Sequence, residues 1–275
     1  MKRKIGFILA LVLVSLLVVG TASAGLFDFL GGGSSTNSTN DNDTFIVGFD
    51  AEFPPYGYQD DNGSYTGFDL DLAKEVCERN NWTFKAQPID WDAKDAELES
   101  GSIDCIWNGF TIDGRENDYL WSNPYFDNKQ IFVVKSDSGI SSIADLKGKT
   151  VETQKDSSAL AALEGDNKTI AGTFATLNQV ADYNTAFMDL ESGACDAVAM
   201  DIGVAEYDIS KKNDTNAYSI LEEAITTEKY GIGFKKGNDA LKDQVQATLD
   251  EMFKDGTVSQ IAQKYGISED ALIQP

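Results

Sequence analysis

From Phe45 onward the chain alternates between short apolar runs and longer segments whose apolar residues recur three and four positions apart. Phe45–Phe49 predicts a buried strand, and Asp69–Asn80, with Leu70, Ala73, Val76 and Cys77 on one face, predicts a helix. Trp82, Phe84 and Ala86 alternate as a strand does, and Asp92–Ser100 predicts a helix stopped by Gly101. Ile103–Trp107, Ile131–Val134, Lys149–Thr153, Ala197–Met200 and Tyr230–Phe234 predict further strands. Ser157–Glu164, Thr185–Ser192 and Asn238–Lys254 predict helices between and after them. Such alternation implies an α/β fold of mostly parallel sheets covered by helices.

One pattern occurs twice. Leu98-Glu99-Ser100-Gly101-x-x-Asp104 returns as Leu190-Glu191-Ser192-Gly193-x-x-Asp196, 92 residues later. Each copy reads as a helix end, a glycine stop and a strand entering a sheet. Two similar lobes, each with its own sheet, would produce this; so would chance likeness of two helix-to-strand turns. On the two-lobe reading Gly109 and Asp201 hold matching places at the carboxyl ends of matching strands, where open α/β sheets bind ligands.

The start of the chain is different. Lys2-Arg3-Lys4 precede an apolar run from Ile5 to Gly20 and the ending Thr21-Ala22-Ser23-Ala24. This predicts an export signal at 1–24 cut after Ala24, or an uncleaved anchor, since Ile5 to Ala24 is 20 residues, long enough to span a bilayer. Residues 25–43, with the tract from Gly31 to Asp43, predict a flexible linker reaching about 20 Å. The protein is therefore expected outside the cytoplasm, at the outer face of the membrane or in the periplasm, tethered if the segment is kept. Six sequons (Asn37, Asn42, Asn62, Asn81, Asn167, Asn213) fit export where the source glycosylates.

Composition then removes whole classes of function. With 45 Asp+Glu against 22 Lys+Arg the net charge is −23, which excludes a general nucleic-acid binder. The absence of histidine removes Ser-His-Asp and Cys-His nucleophiles and His-ligated zinc. Cys77, Cys105 and Cys195 have no metal-like spacing and read as small buried apolar residues, with a Cys77–Cys105 bridge open in an oxidising compartment. Phosphate-loop, dinucleotide, EF-hand and zinc motifs are missing, so no cofactor or metal is expected.

What remains is chemistry for holding a small charged molecule. Asp50, Phe53 and Tyr56 follow the first strand in a loop stiffened by Pro54-Pro55. Asn108, Gly109, Thr111 and Arg115 follow another strand; Gly109 admits close approach, and Arg115 offers a planar fork for a carboxylate. Asp156-Ser157-Ser158 precedes a helix and reads as an N-cap or an anion site. Asp201 ends a strand, where its carboxylate can cap the next helix or take an ammonium. Together these describe a receptor for a zwitterion, with Arg115 and Asp201 meeting it from opposite sides.

These motifs, in this order, resemble extracellular solute-binding proteins, family 3, the polar amino-acid receptors of ABC importers. The likeness runs from about Phe45 to Gly266. It is carried by Val47-Gly48-Phe49-Asp50 with Pro54-Pro55-Tyr56, Gly67-Phe68-Asp69-Leu70-Asp71-Leu72-Ala73, and Gly109-x-Thr111-x-x-x-Arg115. Trp121-Ser122-x-Pro124-Tyr125, Cys195-Asp196-Ala197-Val198-x-x-Asp201, Tyr230-Gly231-Ile232 and Asp255-Gly256-Thr257 follow. The resemblance implies a two-lobed, periplasmic-binding-protein-like type II fold: lobe 1 from 44–131 and 230–275, lobe 2 from 132–229. Two hinge strands, near Gln130–Lys135 and Thr227–Phe234, would join them.

It also implies that Arg115 grips an α-carboxylate and Asp201 an α-ammonium, aided by Thr111 and the Asn108–Gly109 main chain. Ser157 and Ser158 would add donors from lobe 2, Phe53 and Trp91 would flank the side chain, and Asp50 would lie near its far end. Asp156 departs from the family, in which glycine is usual, and adds negative charge beside the expected carboxylate.

The function so implied is capture of a free polar amino acid by hinge closure, without chemistry, and delivery to an ABC transporter permease by a monomer. Asp50 and Glu52 beside Phe53 and Trp91 lean toward a cationic side chain. Two alternatives remain: a dehydratase acting on prephenate-like acids, for which Asp50 or Glu52 would need a raised pKa, and a ligand sensor. No second apolar span or output module accompanies the domain, so transport is the expectation.

Overall fold

The computed structural model describes residues 44–274; the expected export segment and linker lie outside the described residues. β1 (Thr44–Phe49) leads into a small antiparallel patch, β2 (Glu52–Phe53), β3 (Gly57–Gln59) and β4 (Tyr65–Thr66). Next come α1 (Phe68–Asn80), β5 (Thr83–Pro88), α2 (Lys94–Ser100), β6 (Cys105–Ile106) and β7 (Leu120–Trp121). The middle of the chain holds β8 (Phe126–Lys135), β9 (Thr150–Gln154), α3 (Ser158–Glu164), α4 (Lys168–Ala171), β10 (Thr176–Val180) and α5 (Tyr183–Ser192). It continues with β11 (Ala197–Asp201), α6 (Ile202–Ser210), β12 (Tyr218–Ile220) and β13 (Thr226–Tyr230). The last elements are β14 (Gly233–Phe234), α7 (Asp239–Lys254) and α8 (Thr257–Lys264).

Two sheets result. The first has the order β5-β1-β6-β14-β7 and the second β10-β9-β11-β8-β12, with β13 also on β8. β5, β1 and β6 are parallel, as are β10, β9 and β11, because helices carry the chain back across each sheet. The parallel arrangement is confined to these trios. β8, β13 and β14, by which the chain leaves one sheet and re-enters the other, run antiparallel to their neighbours.

The single strand expected at Tyr230–Phe234 is a correction of detail: β13 ends at Tyr230 in the second sheet and β14 starts at Gly233 in the first. Between them the Ile232 amide donates to Ser122 Oγ at 2.8 Å and the Gly231 amide to the Phe110 carbonyl at 2.9 Å. The run reads as one strand because both sheets bury it. Likewise Gln130–Lys135 lies inside the second sheet, paired to β11 and β12. The ribbon leading out of that sheet is Phe126–Gln130 paired with Thr226–Tyr230.

The repeated pattern repeats in geometry. Gly101 and Gly193 both cap their helices in the left-handed region, at φ 80°, ψ 18° and φ 81°, ψ 19°. Asp104 then accepts the Ile46 amide at 2.7 Å, and Asp196 accepts the Thr150 amide at 2.8 Å, each pinning the first parallel pair of its sheet. The core is built on apolar side chains, with Val47, Phe49, Phe68, Leu72, Val133, Val198 and Met200 almost fully buried. Cys77, Cys105 and Cys195 are buried free thiols, so the Cys77–Cys105 bridge is not formed. Among the described sequons Asn62, Asn81 and Asn213 are exposed, whereas Asn167 is half-buried and donates to the Ile225 carbonyl.

Candidate ligand-binding site

The loop after β6 is held from below. The Gly109 amide donates to Asp69 Oδ2 at 2.6 Å, and Tyr125 donates to Asp69 Oδ1 at 2.8 Å. Burial pushes the Asp69 carboxyl up to about 7. Gly109 has φ +55°, and a Cβ there would sit 2.7 Å from the Phe53 ring and 3.1 Å from Tyr230. Only glycine fits. The loop then turns so that the Arg115 amide donates to the Ile112 carbonyl.

Asp201 ends β11, opposite Gln130 of β8, with Glu228 of β13 facing Asn128 one pair along. This register gathers two buried carboxylates. Asp201 Oδ1 accepts from Asn128 Nδ2 at 2.7 Å, Gln130 Nε2 at 2.7 Å and the Tyr230 hydroxyl at 2.6 Å. Glu228 Oε1 accepts from the same two amides at 2.8 and 2.7 Å, from Thr111 Oγ1 at 2.9 Å and from Ser158 Oγ at 3.1 Å. Burial first, then the Glu228 charge, push the Asp201 carboxyl up to about 7, against the donors that pull it down.

Acceptors outnumber hydrogens here. Gln130 Nε2 carries two hydrogens yet has three acceptors at 2.7 Å, Asp201 Oδ1, Glu228 Oε1 and Ser158 Oγ. The carbonyl oxygens of Asn128 and Gln130 are buried without a partner among the described residues. Asp201 Oδ2 accepts no hydrogen bond among the described residues. A group with several N–H donors and a positive charge is what this cluster lacks.

The opposite end is basic. Arg115 Nη2 donates to the Asp156 carbonyl at 3.1 Å and Nη1 reaches the Thr111 carbonyl at 3.4 Å, with the guanidinium 5.3 Å over the Phe110 ring. Asp156 sits at φ +54°, in the region that explains why glycine suits the position. Its carboxylate is paired with buried Lys94, which also lies 5.1 Å over the Trp91 ring. The extra negative charge at Asp156 is thus neutralised from the first sheet's side. Ser157 is the N-cap of α3, accepting the Leu160 amide at 3.1 Å, and Ser158 points into the carboxylate cluster.

Between the two ends lies a narrow cavity of about 10 Å³, room for about one water. Its walls are Phe53, Trp91, Asn108, Gly109, Thr111, Arg115, Ser157, Ser158, Asp201 and Gln154. Nine residues singled out by sequence therefore meet around one space. Phe53 stacks within 6.0 Å of Tyr183, and Asn108 accepts the Asp50 amide while its own Nδ2 is left without a partner.

Asp50 is the exception. It stands behind the wall, accepting from Gln154 Nε2 at 2.5 Å, so that Gln154 faces the cavity in its stead. Burial pushes the Asp50 carboxyl up to about 6. Asp50 lines an outer groove with Glu52, Asp90, Asp92, Glu97 and Asp182 against Lys155.

Residues 45–268 match the description of bacterial extracellular solute-binding proteins, family 3. The chain belongs to that family. It is 31% identical over 232 residues to the L-cystine-binding protein TcyJ of Escherichia coli (strain K12), covering 83% of this chain and 85% of TcyJ. Among solved structures it is similar to an ABC uptake transporter substrate-binding protein from Streptococcus pneumoniae with bound histidine. That likeness has a TM-score of 0.80 and 35% identity, over 84% of this chain and 95% of that one. It is also similar to the ancestral amino-acid-binding protein AncCDT-1, a precursor of cyclohexadienyl dehydratase. There the TM-score is 0.72 at 30% identity, over 81% of this chain and 95% of that one.

In this family-3 protein, sequence reading missed Gln154, Glu228, Asn128, Gln130 and Lys94. Asn128 and Gln130 leave a faint signal: two amides two apart at the head of an apolar strand put their side chains on one face. Glu228 and Lys94 leave none, since an isolated charge is ordinarily a solvated one.

Proposed function

We propose that the protein captures a free polar amino acid and delivers it to an ABC transporter permease without altering it. Arg115 takes the α-carboxylate, Asp201 the α-ammonium, and Thr111, Asn108, the Gly109 main chain, Ser157 and Ser158 supply further hydrogen bonds. Phe53 and Trp91 enclose the side chain. The observation that carries this reading is a guanidinium and a buried carboxylate, one of whose oxygens accepts no hydrogen bond among the described residues, on the walls of one cavity. Both charges need a partner once water is excluded, and each matched charged hydrogen bond returns ~1.5–3 kcal/mol.

The lobes of 44–131 with 230–275 and of 132–229 bend at the ribbon Phe126–Gln130 and Thr226–Tyr230. Export by residues 1–24, cleaved or kept as an anchor, places this monomer outside the cytoplasm. The test is a thermal-shift screen of the twenty amino acids with cystine and ornithine. Ligand at 100-fold over Kd adds ~2.7 kcal/mol, and ~2–4 °C per kcal/mol is expected at this size, so one compound raises Tm by about 5–10 °C. A flat response across the panel overturns the reading. Turnover of prephenate would favour the dehydratase instead, the reading that the likeness to AncCDT-1 keeps in view.

A further inference from the structure

We propose that Asp50 is a positioning residue: it fixes the Gln154 amide so that the oxygen is left for the ligand. The site then selects an amino acid whose side chain ends in an N–H donor, a role that rests on the amino-acid reading above. Asp50 stands behind the cavity wall, almost fully buried at 7% exposure. Its Oδ1 accepts the Glu52 amide at 2.9 Å, and its Oδ2 accepts Gln154 Nε2 at 2.5 Å. Gln154 Nε2 has a second acceptor, the Ala181 carbonyl, at 3.1 Å. Both hydrogens of the amide nitrogen are thus directed at residues of the outer groove. Turned the other way, the amide would set its own oxygen against a carboxylate and a carbonyl, neither of which has a hydrogen to give once Asp50 is ionised.

What remains of Gln154 is Oε1, which accepts no hydrogen bond among the described residues. Gln154 is almost fully buried and stands on the cavity wall with Phe53 and Trp91, the two rings that enclose the side chain in that reading. A side chain ending in an amide, ammonium, guanidinium or imidazole supplies the missing hydrogen. A carboxylate of the same length brings an acceptor to an acceptor, with the Asp50 carboxylate directly behind it. The Glu52 amide makes Asp50 hard to imitate. An asparagine at that place must keep its oxygen on the Glu52 N–H, which turns its own NH2 toward that of Gln154. The Gln154 amide then turns over, and the cavity meets Nε2 in place of Oε1. Asp50 therefore acts on the ligand through Gln154 and not by touching it.

Thermal shift and isothermal titration on the full chain test this with the twenty amino acids, cystine and ornithine. The panel holds two near-isosteric pairs, glutamine with glutamate and asparagine with aspartate. In wild type the largest rise in Tm is expected from a side chain ending in N–H, the second ammonium of cystine included, and the two acids are expected to give none. Asp50→Asn is expected to weaken the best compound roughly tenfold, the worth of one hydrogen bond, while glutamate and aspartate gain. Gln154→Leu, which offers neither end of an amide, is expected to weaken the best compound to a similar extent with no gain for the acids. A merely structural role for Asp50 would weaken every compound alike and lower the ligand-free Tm, and that result overturns the proposal. A best wild-type compound whose side chain has no N–H overturns it too, and leaves the amino-acid reading standing. If Asp50→Asn fails to fold, Gln154→Leu decides alone, and an unchanged Kd for the best compound rejects the proposal. A wild type that ignores the whole panel sinks the amino-acid reading, and this role with it.

Discussion

The two ends of the cavity are built on opposite plans. Asp201 is rigid, almost fully buried, and tied by three donors through one oxygen. Arg115 is half-buried, held by two carbonyl contacts and a ring face, with its fork otherwise unengaged. A carboxylate taken out of water must be fixed in place by donors before any ligand arrives, whereas a guanidinium is weakly hydrated and keeps its charge in any setting. The acidic end is therefore preorganised and costly to hold, and the basic end adaptable. Discrimination belongs to the first and recruitment to the second.

That contrast can be broken at either end. Asp201→Asn removes the charge at that end, and the expected loss of affinity for the best amino acid in the panel is about 3–5 kcal/mol, or roughly 10²–10⁴-fold. Arg115→Lys keeps the charge and loses the fork, for a smaller loss of about 1.5–3 kcal/mol. Isothermal titration of both variants checks the order; a larger loss at Arg115 would reverse the assignment of rigid and adaptable ends.

A pH series sharpens the same point. The ammonium requires ionised Asp201, whose carboxyl titrates near 7 beside Glu228 and the Tyr230 hydroxyl. Affinity is thus expected to be full above about pH 8 and to fall by up to tenfold per unit below about 7. A titration flat from pH 8 to pH 5 would remove Asp201 from the role. For stability the sign is the reverse: burial raises the folded-state pKa of Asp69 to about 7, so its contribution is complete below the ordinary carboxylate range and is lost as pH climbs toward 7.

The smallest effect is expected at the basic end's support. Lys94→Met leaves the Asp156 charge unneutralised beside the bound carboxylate, for a loss of roughly tenfold or less. Lys94→Met with Asp156→Gly should recover most of it, because glycine accepts φ +54° without strain. Additive losses in that double variant would show the pair to be irrelevant to binding.

Legibility in the sequence followed the physics of each residue. Strands and helices that bury one face announce themselves by period, which is why β1, α1, α5 and β11 fell where the apolar spacing put them. The paired Gly101–Asp104 and Gly193–Asp196 turns were legible because a left-handed cap tolerates few residues and a strand-pinning carboxylate has a fixed offset from it. The short strand β7 was not, since two residues carry no period. At the cavity, loop residues with unusual chemistry (Gly109, Arg115) stood out. Glu228 and Lys94 did not, because the partners that bury them are distant in sequence: Glu228 bonds Thr111, 117 residues earlier, and Lys94 bonds Asp156, 62 residues later.

Asn128, Gln130, Glu228 and Tyr230 all belong to the paired ribbon; three of them bond Asp201, and Glu228 shares the Asn128 and Gln130 amides with it. The joint of this molecule is also its seat. Flexing cannot be tuned without retuning grip, so a substitution meant to loosen the one will be felt by whatever cargo rests on the other.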